Sequence, residues 1–582
     1  MSEAPVRSPR DLRGLTLEQL QNLAQDLRQR ILSVSLKNGG HLGASLGTVE
    51  LAIALHYVFE SPTEPIIWDV GHQAYAHKLL TGRWESFETL RMHQGVSGFL
   101  SRVESPHDAF GAGHSSTSIS AALASAWAKR KDKKAWTVAV IGDGGLTAGL
   151  AYEALNNVKA IPQLGPLLVV LNDNQMSISE NIGAIPAILA SDRAKDFFEL
   201  FGFDYFGPVD GHDLNALTGT LRGIKLSHGS KPVLLHVFTQ KGKGYSPAEE
   251  QPANFHGVNA VKEKVPGKQT PPVAKSYSDT FGDALIKLAE KDPKIVAITA
   301  AMPEGTGLTR FAQKFPDRFF DVGIAEPHAV TFAAGLATQG YKPVVAIYST
   351  FLQRALDACI HDVAIQKLGV TFAIDRAGIV GADGPTHHGL FDLAYLGAIP
   401  GFTITAPSNL ADVFELLNAG ITSGQPYAIR YPRGSSTSAM IPPLVGGMRT
   451  HREVKNPLLI VAAFGAAVER TQKALELLGA KAESISFYST PFFKPISAAL
   501  VAAVANSPEA TLVTIEDAAI HGGFGQNLAG SLAPSARKLV HLGYGDEFIE
   551  HGSPSALEEA HGMSPPKIAE RLAIFLAHEK AT

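Results

Sequence analysis

An apolar run, Val138–Ile141, leads directly into Gly142-Asp143-Gly144-Gly145; a helix-forming segment follows, and a second apolar run ends in Leu171-Asn172-Asp173-Asn174. Glycines on both sides of an aspartate at the C-terminal end of a strand allow a tight turn and close approach of a phosphate to the backbone. In an open α/β sheet the same position is the crevice where ligands bind. Magnesium takes oxygen donors and is commonly shared between one or two protein groups and the phosphates of a ligand. The Asp143 carboxylate, the Asn174 amide and the Met176 backbone carbonyl can form such a set, with diphosphate oxygens completing the shell. A bare GDG is a turn and nothing more; the order strand, GDG, helix, strand, NDN is far more specific.

That order resembles the diphosphate motif of thiamine-diphosphate enzymes, and such a cofactor needs an acid at its other end. One nitrogen of the aminopyrimidine must carry a proton before the ring can remove the thiazolium proton. A carboxyl group in an apolar pocket has a raised pKa and can share that proton. Glu326, closing Asp321-Val322-Gly323-Ile324-Ala325-Glu326 at the head of a largely apolar helical stretch, is the candidate. Alone it reads as a surface glutamate favoured by the helix dipole. Paired with the GDG signal it reads as the activator.

His41, His72 and His114 stand in glycine-rich segments of the first third, where a histidine faces a ligand more often than on an apolar helix face. His77 lacks that context and reads as structural. The segments HLGASLGTVEL, WDVGHQAYAHKLLTGR, GHSSTSIS, VIGDGGLTAG, LNDNQMSIS, GPVDGHD, YSTFLQRA, IDRAGIVGADGPTHHG, RYPRG and DEFIEHGS together resemble the 1-deoxy-D-xylulose-5-phosphate synthase family, nearly end to end. Transketolase is a more distant likeness. The resemblance implies thiamine diphosphate and Mg2+ as cofactors, and condensation of pyruvate with D-glyceraldehyde 3-phosphate with loss of carbon dioxide. It implies that Glu326 activates the cofactor and Phe351 packs on its pyrimidine. His72, Gly113, His114, Ser115, Gly144, Gly145, Asn174 and Tyr245 would contact the cofactor, and Asp143, Asn174 and Met176 the metal. His41, His256, Asp383 and His387 would line the substrate chamber and relay protons. Tyr348, Arg354, Arg376 and Arg433 would hold phosphate or carboxylate, which suits the guanidinium fork. For Arg430 a surface ion pair is the better reading.

Four departures from the family pattern stand out. Pro327 follows Glu326 in place of glutamine, which the first turn of a helix tolerates. QRALDA replaces QRAYDQ, and Gly397 replaces a common arginine. Between Ile182 and Phe197 a short AIPAILASDRAK takes the place of a longer mobile insertion, which implies altered substrate access.

The elements that must position these residues follow an α/β rhythm. Apolar residues at helical spacing span Leu15–Lys37 and Ser45–Phe59. Trp136–Ile141, Leu167–Leu171 and Pro232–Phe238 read as strands, with a helix over Thr147–Lys159. Strand-like runs at Ile295–Thr299, Val344–Tyr348, Thr371–Ile374 and Ala428–Tyr431 restart the pattern. Leu458–Ala463, Ala482–Tyr488, Thr511–Ile515 and Lys538–Leu542 form a third set. The fold class is therefore α/β: mainly parallel sheets flanked by helices, in three domains, with a transketolase-like thiamine-diphosphate-binding fold by resemblance. The expected divisions are a diphosphate- and magnesium-binding domain at 1–260, a linker at 261–276, a pyrimidine-binding domain at 277–440 and a C-terminal domain at 450–582. The cofactor would bridge the first two within one chain.

Composition limits the alternatives. A chain of 582 residues exceeds one hydrophobic core, and 45% hydrophobic content is that of a soluble globular protein. A net charge of −4 without a basic domain argues against nucleic acid and membrane surfaces. One cysteine, Cys359, no secretory leader and no run long enough to span a bilayer predict a cytoplasmic protein, expected as a homodimer. The rivals are another transketolase-like ketol transferase, a pyruvate dehydrogenase-type E1, and a non-catalytic binding protein; retention of Asp143, Asn174 and Glu326 together speaks against the last.

Overall fold

The computed structural model describes residues 5–132, 134–177, 180–227, 231–260, 275–436, 441–532 and 537–581. The linker expected at 261–276 lies outside them except for Lys275 and Ser276. The chain forms two compact units, 1–268 with 323–325, and 269–322 with 326–582. No helix among the described residues is long and apolar enough to cross a membrane.

In the first unit β1 (Ile66–Trp68), β2 (Thr137–Gly142), β3 (Leu167–Asp173), β4 (Asp204–Asp210) and β5 (Val233–Phe238) make one parallel sheet, ordered β1-β2-β3-β5-β4. Val138, Val140, Leu168 and Val170 face one core, and Ala139, Ile141, Val169 and Leu171 the other. Burial on both faces explains why these strands read as unbroken apolar runs. β3 extends two residues past the run read from the sequence, so Asn172 and Asp173 still lie in the ladder. β1 and β4 were not anticipated. β1 has only three residues, and β4 is a polar edge strand with Gly207-Pro208 and a shift of register between Phe206 and Val209.

The helix Leu17–Asn38 is capped by Thr16 and Gln19 and buries Leu20, Leu23, Leu27, Ile31 and Val34 at spacings of three and four. The helix expected over 45–59 is two pieces, Leu42–Gly47 and Val49–Val58. Thr48 interrupts it, its hydroxyl donating to the Gln73 carbonyl at 2.7 Å.

The second unit contains β6 (Ile295–Thr299), β7 (Phe319–Asp321), β8 (Lys342–Tyr348), β9 (Thr371–Asp375), β10 (Thr403–Thr405), β11 (Tyr427–Arg430), β12 (Arg449–Arg452), β13 (Leu459–Phe464), β14 (Ile485–Thr490), β15 (Phe492–Lys494), β16 (Thr511–Ala519) and β17 (Leu539–Tyr544). They form two sheets, β15-β10-β11-β9-β8-β6-β7 and β12-β14-β13-β16-β17. Pairing is parallel except at the edge strands β15 and β12. β14 and β15 are separated by Pro491 alone, yet they belong to different sheets, so the C-terminal segment lends a strand to the middle sheet. A Cβ at Gly397 would meet the Phe493 ring of β15 at 2.8 Å, so a glycine fits where the family pattern has arginine.

His77, Arg83 and Arg430 are structural. His77 accepts or donates at 2.9 Å with His56 and bonds Asp108 at 3.1 Å, while Arg83 forks onto both Asp108 oxygens at 2.8 Å. Arg430 does form an ion pair, with Asp392 at 2.9 Å, but the pair is buried rather than on the surface, and its guanidinium also donates to the carbonyls of Gly389 and Asp517. Asp108→Ala would leave the buried Arg83 guanidinium with Glu104 as its remaining carboxylate partner and is expected to destabilise the chain by about 3 kcal/mol, read as a lower urea midpoint in tryptophan fluorescence.

Candidate functional site

Asp143 opens the short helix Asp143–Leu146 as β2 ends and is 2% exposed. Its Oδ2 accepts from the Asn181 amide at 2.7 Å; its Oδ1 is buried and has no hydrogen-bond partner among the described residues. Burial, reinforced by the Asp173 carboxylate, pushes its pKa up to about 8, against the pull of nearby backbone N–H groups. A carboxylate so placed gains most from a cation.

A Cβ on Gly144 would stand 2.8 Å from the Ser177 Cβ, so glycine is what lets the turn after β3 close over the motif. In that turn the Asn174 Oδ1 accepts from the Met176 N–H at 3.1 Å. Asp143, Asn174 and Met176 line one cavity of about 920 Å3, with Asn181 and 251–254 on other walls. Among the described residues no three His, Cys, Asp or Glu side chains cluster as a metal site. One carboxylate, an amide and a carbonyl are still a fitting set for magnesium, which takes most of its remaining ligands from phosphate and water.

His41, His72 and His256 gather nearby. The His72 and His256 rings are 5.3 Å apart, and the His41 ring lies 6.2 Å from each. Desolvation lowers the His72 pKa to about 3, helped by the charges of His41 and Lys241, and holds His256 far below its usual range. Both are neutral near pH 7, and the Nδ1 of each is buried without a partner among the described residues. His114 is half-buried, with Gly113 and Ser115 buried beside it. Their loop is tied to the GDGG turn by the Ser116 hydroxyl, which donates to the Gly145 carbonyl at 2.6 Å. Tyr245 caps the helix Ser246–Glu250 and packs edge-on against Phe255 at 5.7 Å; it does not line the cavity.

In the second unit Glu326 begins the helix Glu326–Thr338 and is 4% exposed, so it is no surface glutamate. Its Oε2 has no partner among the described residues. Burial raises its pKa, partly offset by the Arg354 charge. Phe351 stacks on Tyr348 at 5.6 Å and meets the His387 ring edge-on at 5.4 Å. The Arg376 guanidinium lies over Tyr348 at 4.2 Å and is anchored by Asp375 at 2.9 Å and the Gly305 carbonyl at 2.7 Å. Burial holds the Tyr348 hydroxyl protonated, with the charges of Arg433 and Asp383 also acting on it. Tyr348, Phe351, Arg376, Asp383, His387 and Arg433 thus share one neighbourhood, with Arg433 exposed.

Three residues escaped the sequence reading. Asp69 is buried and accepts from the Ser116 and Ser118 N–H groups at 2.6 and 3.0 Å, so it holds the His114 loop. Asn181 contacts Asp143 directly. Lys241 is buried, donates to the Ser177 carbonyl at 2.7 Å, and has its pKa lowered to about 8 by desolvation, against the attraction of Asp143. Asp69 and Asn181 lie in or beside quoted motifs and Lys241 lies shortly before Tyr245, but nothing in residue type alone separated them from neighbouring polar groups.

A family model described as 1-deoxy-D-xylulose-5-phosphate synthase matches residues 4–197 and 190–239. The transketolase pyrimidine binding domain matches 274–437 and the transketolase C-terminal domain 446–568. The chain is 46% identical to the 1-deoxy-D-xylulose-5-phosphate synthase of Aquifex aeolicus (strain VF5), covering 96% of this chain and 95% of that one. It is also 46% identical to the synthase of Thermomicrobium roseum, over 98% and 97%. Among solved structures, a transketolase from Campylobacter jejuni is similar at 18% identity and a TM-score of 0.46, covering 96% of this chain and 100% of that one. The two segments of the first family match overlap at 190–197, at the end of the shortened stretch. There the chain folds as helices Ala184–Leu189 and Arg193–Phe201, with Leu189 buried and Pro186 and Ala190 lining the cavity.

The depressed His72 pKa sets a pH dependence. Between about pH 3 and 6.5 an unfolded His72 binds a proton that the folded chain refuses, so its stabilisation is complete above that window and is lost as pH falls. The melting temperature is expected to drop from about pH 7 to about pH 5, and less steeply in His72→Asn, by calorimetry.

Proposed function

The chain belongs to the 1-deoxy-D-xylulose-5-phosphate synthase family, and we propose that the residues described above divide that family's chemistry between a diphosphate end and a pyrimidine end of one cofactor. The reaction condenses pyruvate with D-glyceraldehyde 3-phosphate to give 1-deoxy-D-xylulose 5-phosphate and carbon dioxide, the first step of non-mevalonate isoprenoid biosynthesis. The family is thiamine-diphosphate-dependent, and the cofactor when bound supplies the electron sink for decarboxylation and carbon–carbon bond formation.

Asp143, Asn174 and the Met176 carbonyl would hold Mg2+ against the diphosphate, and the backbone of Gly144 and Gly145 would contact its oxygens. His72, the Gly113-His114-Ser115 loop and Tyr245 would complete that end. Glu326 would keep a proton on its carboxyl and share it with an aminopyrimidine nitrogen, while Phe351 packs on the ring. His41 and His256, with Asp383 and His387, would orient pyruvate and move protons; the lowered pKa of His256 makes it a neutral acceptor at working pH. The Tyr348 hydroxyl and the guanidinium groups of Arg354, Arg376 and Arg433 would take up carboxylate and phosphate. Glu326 carries the reading: a buried acid with one oxygen that has no partner among the described residues, and with its pKa raised, suits proton sharing. The proposal includes division into domains at 1–260, 277–440 and 450–582, and a cytoplasmic homodimer. The weak net charge and single cysteine support the cytoplasmic part.

Glu326→Ala is expected to lower turnover at least about a hundredfold with the fold and most cofactor affinity retained. Asp143→Ala should instead weaken magnesium-dependent cofactor binding. The check is a coupled assay of carbon dioxide and deoxyxylulose phosphate beside calorimetric cofactor titration. Near-normal turnover in Glu326→Ala would overturn the activator assignment, and turnover of a ketose donor in place of pyruvate would favour transketolase chemistry.

A further inference from the structure

The chain turns sharply between the two residues assigned to the metal. Gln175 lies between Asn174 and Met176 with φ of +62°, a left-handed conformation that a residue with a long side chain keeps only where its surroundings impose it. Asp173 imposes it: its Oδ1 accepts from the Gln175 N–H at 3.1 Å. Asp173 is 3% exposed, and its Oδ2 lies 2.9 Å from the His236 Nε2 on β5. The His236 Nδ1 in turn lies 2.8 Å from the Tyr205 hydroxyl on β4. A carboxylate has no proton to give, so Nε2 donates to Asp173; in a neutral ring Nδ1 then accepts, and Tyr205 is the donor. The chain of bonds Tyr205, His236, Asp173 therefore crosses three strands and ends on the turn that presents Asn174 and Met176.

A buried histidine and aspartate can pair merely to satisfy each other, and such a pair could sit anywhere along β3 and β5. This one sits at the last residue of β3, and both of its aspartate oxygens are used, one inward to the sheet and one outward to the strained turn. Tyr205 and His236 do not line the cavity, whereas Asp173 does, so the chain of hydrogen bonds reaches the cavity through Asp173.

We propose that Tyr205, His236 and Asp173 are positioning residues that hold the Asn174–Met176 turn in its metal-binding form and so set the affinity of the site for Mg2+ with thiamine diphosphate. The inference rests on the metal assignment made under the proposed function. Outer partners of this kind typically change metal affinity about 10- to 100-fold when removed.

The test is calorimetric titration of the full apo chain with thiamine diphosphate, with and without Mg2+, beside the melting temperature of each apo variant. His236→Phe is expected to weaken Mg2+-dependent binding at least about tenfold, and Tyr205→Phe about threefold. His236→Gln, whose amide can still donate to Asp173, should recover most of the affinity. Mg2+-free binding should change little, which a general loss of structure would not spare. If Asp143→Ala also binds as tightly as the unaltered chain, the metal assignment itself fails. If Asp143→Ala binds weakly while His236→Phe and Tyr205→Phe bind normally, the positioning role alone is overturned. Should His236→Phe show no folded apo state, Tyr205→Phe decides: unchanged affinity overturns the role, and a selective Mg2+-dependent loss supports it.

Discussion

A carboxylate taken out of water without a full set of hydrogen bonds destabilises the fold that buries it, and this chain contains two that matter. Among the described residues Asp143 Oδ1, where β2 ends, and Glu326 Oε2, at the head of a helix, have no hydrogen-bond partner. Both pKa values are raised for the same first reason, desolvation. The chemistry that relieves each differs. A cation beside Asp143 restores its charged form, whereas a ring nitrogen beside Glu326 can share the proton that burial retains. One physical device, burial of a carboxyl group, is thus present in both units, and in the proposed reading it would serve as anchor in one and as acid in the other.

The surroundings keep these groups from relaxing. Asp143 follows a strand buried on both faces, and Asn181 already occupies one of its oxygens. Asp69 clamps the His114 loop through two backbone bonds, and the Ser116 hydroxyl ties that loop to Gly145. The histidines need the same rigidity. Burial keeps His72 and His256 neutral, and the Nδ1 of each has no partner among the described residues. In the second unit Tyr348, Phe351 and His387 make an aromatic wall, and Arg376 is held over it by Asp375 and the Gly305 carbonyl.

Much of this was legible in the sequence because the controlling signals are local. An apolar run ending in GDGG specifies a strand, a turn and an acid at the strand's C-terminal end together, although not that the acid is buried, and Glu326 at the head of an apolar stretch specifies a helix start. β1 and β4 were not legible: one is too short to show a period, and the other carries glycine and proline at an edge where burial imposes no pattern. The transfer of β15 to the middle sheet depends on where Phe493 packs, which no local pattern records. Arg430 was read as a surface pair because residue type cannot report burial. Asp69, Asn181 and Lys241 matter through partners up to 64 positions away in the chain, and only folding brings those partners together. The family resemblance added roles for single residues that spacing and composition could not supply.

The central claim is that the carboxyl of Glu326, and not the metal end, activates the cofactor. The most direct measurement is the rate at which the thiazolium C2 proton of bound thiamine diphosphate exchanges with deuterium, followed by quenched-flow NMR. The account predicts fast exchange in the unaltered chain, a fall toward the free-cofactor rate in Glu326→Gln, and retained fast exchange in Asp143→Asn once the cofactor saturates it. Exchange in Glu326→Gln as fast as in the unaltered chain would contradict it.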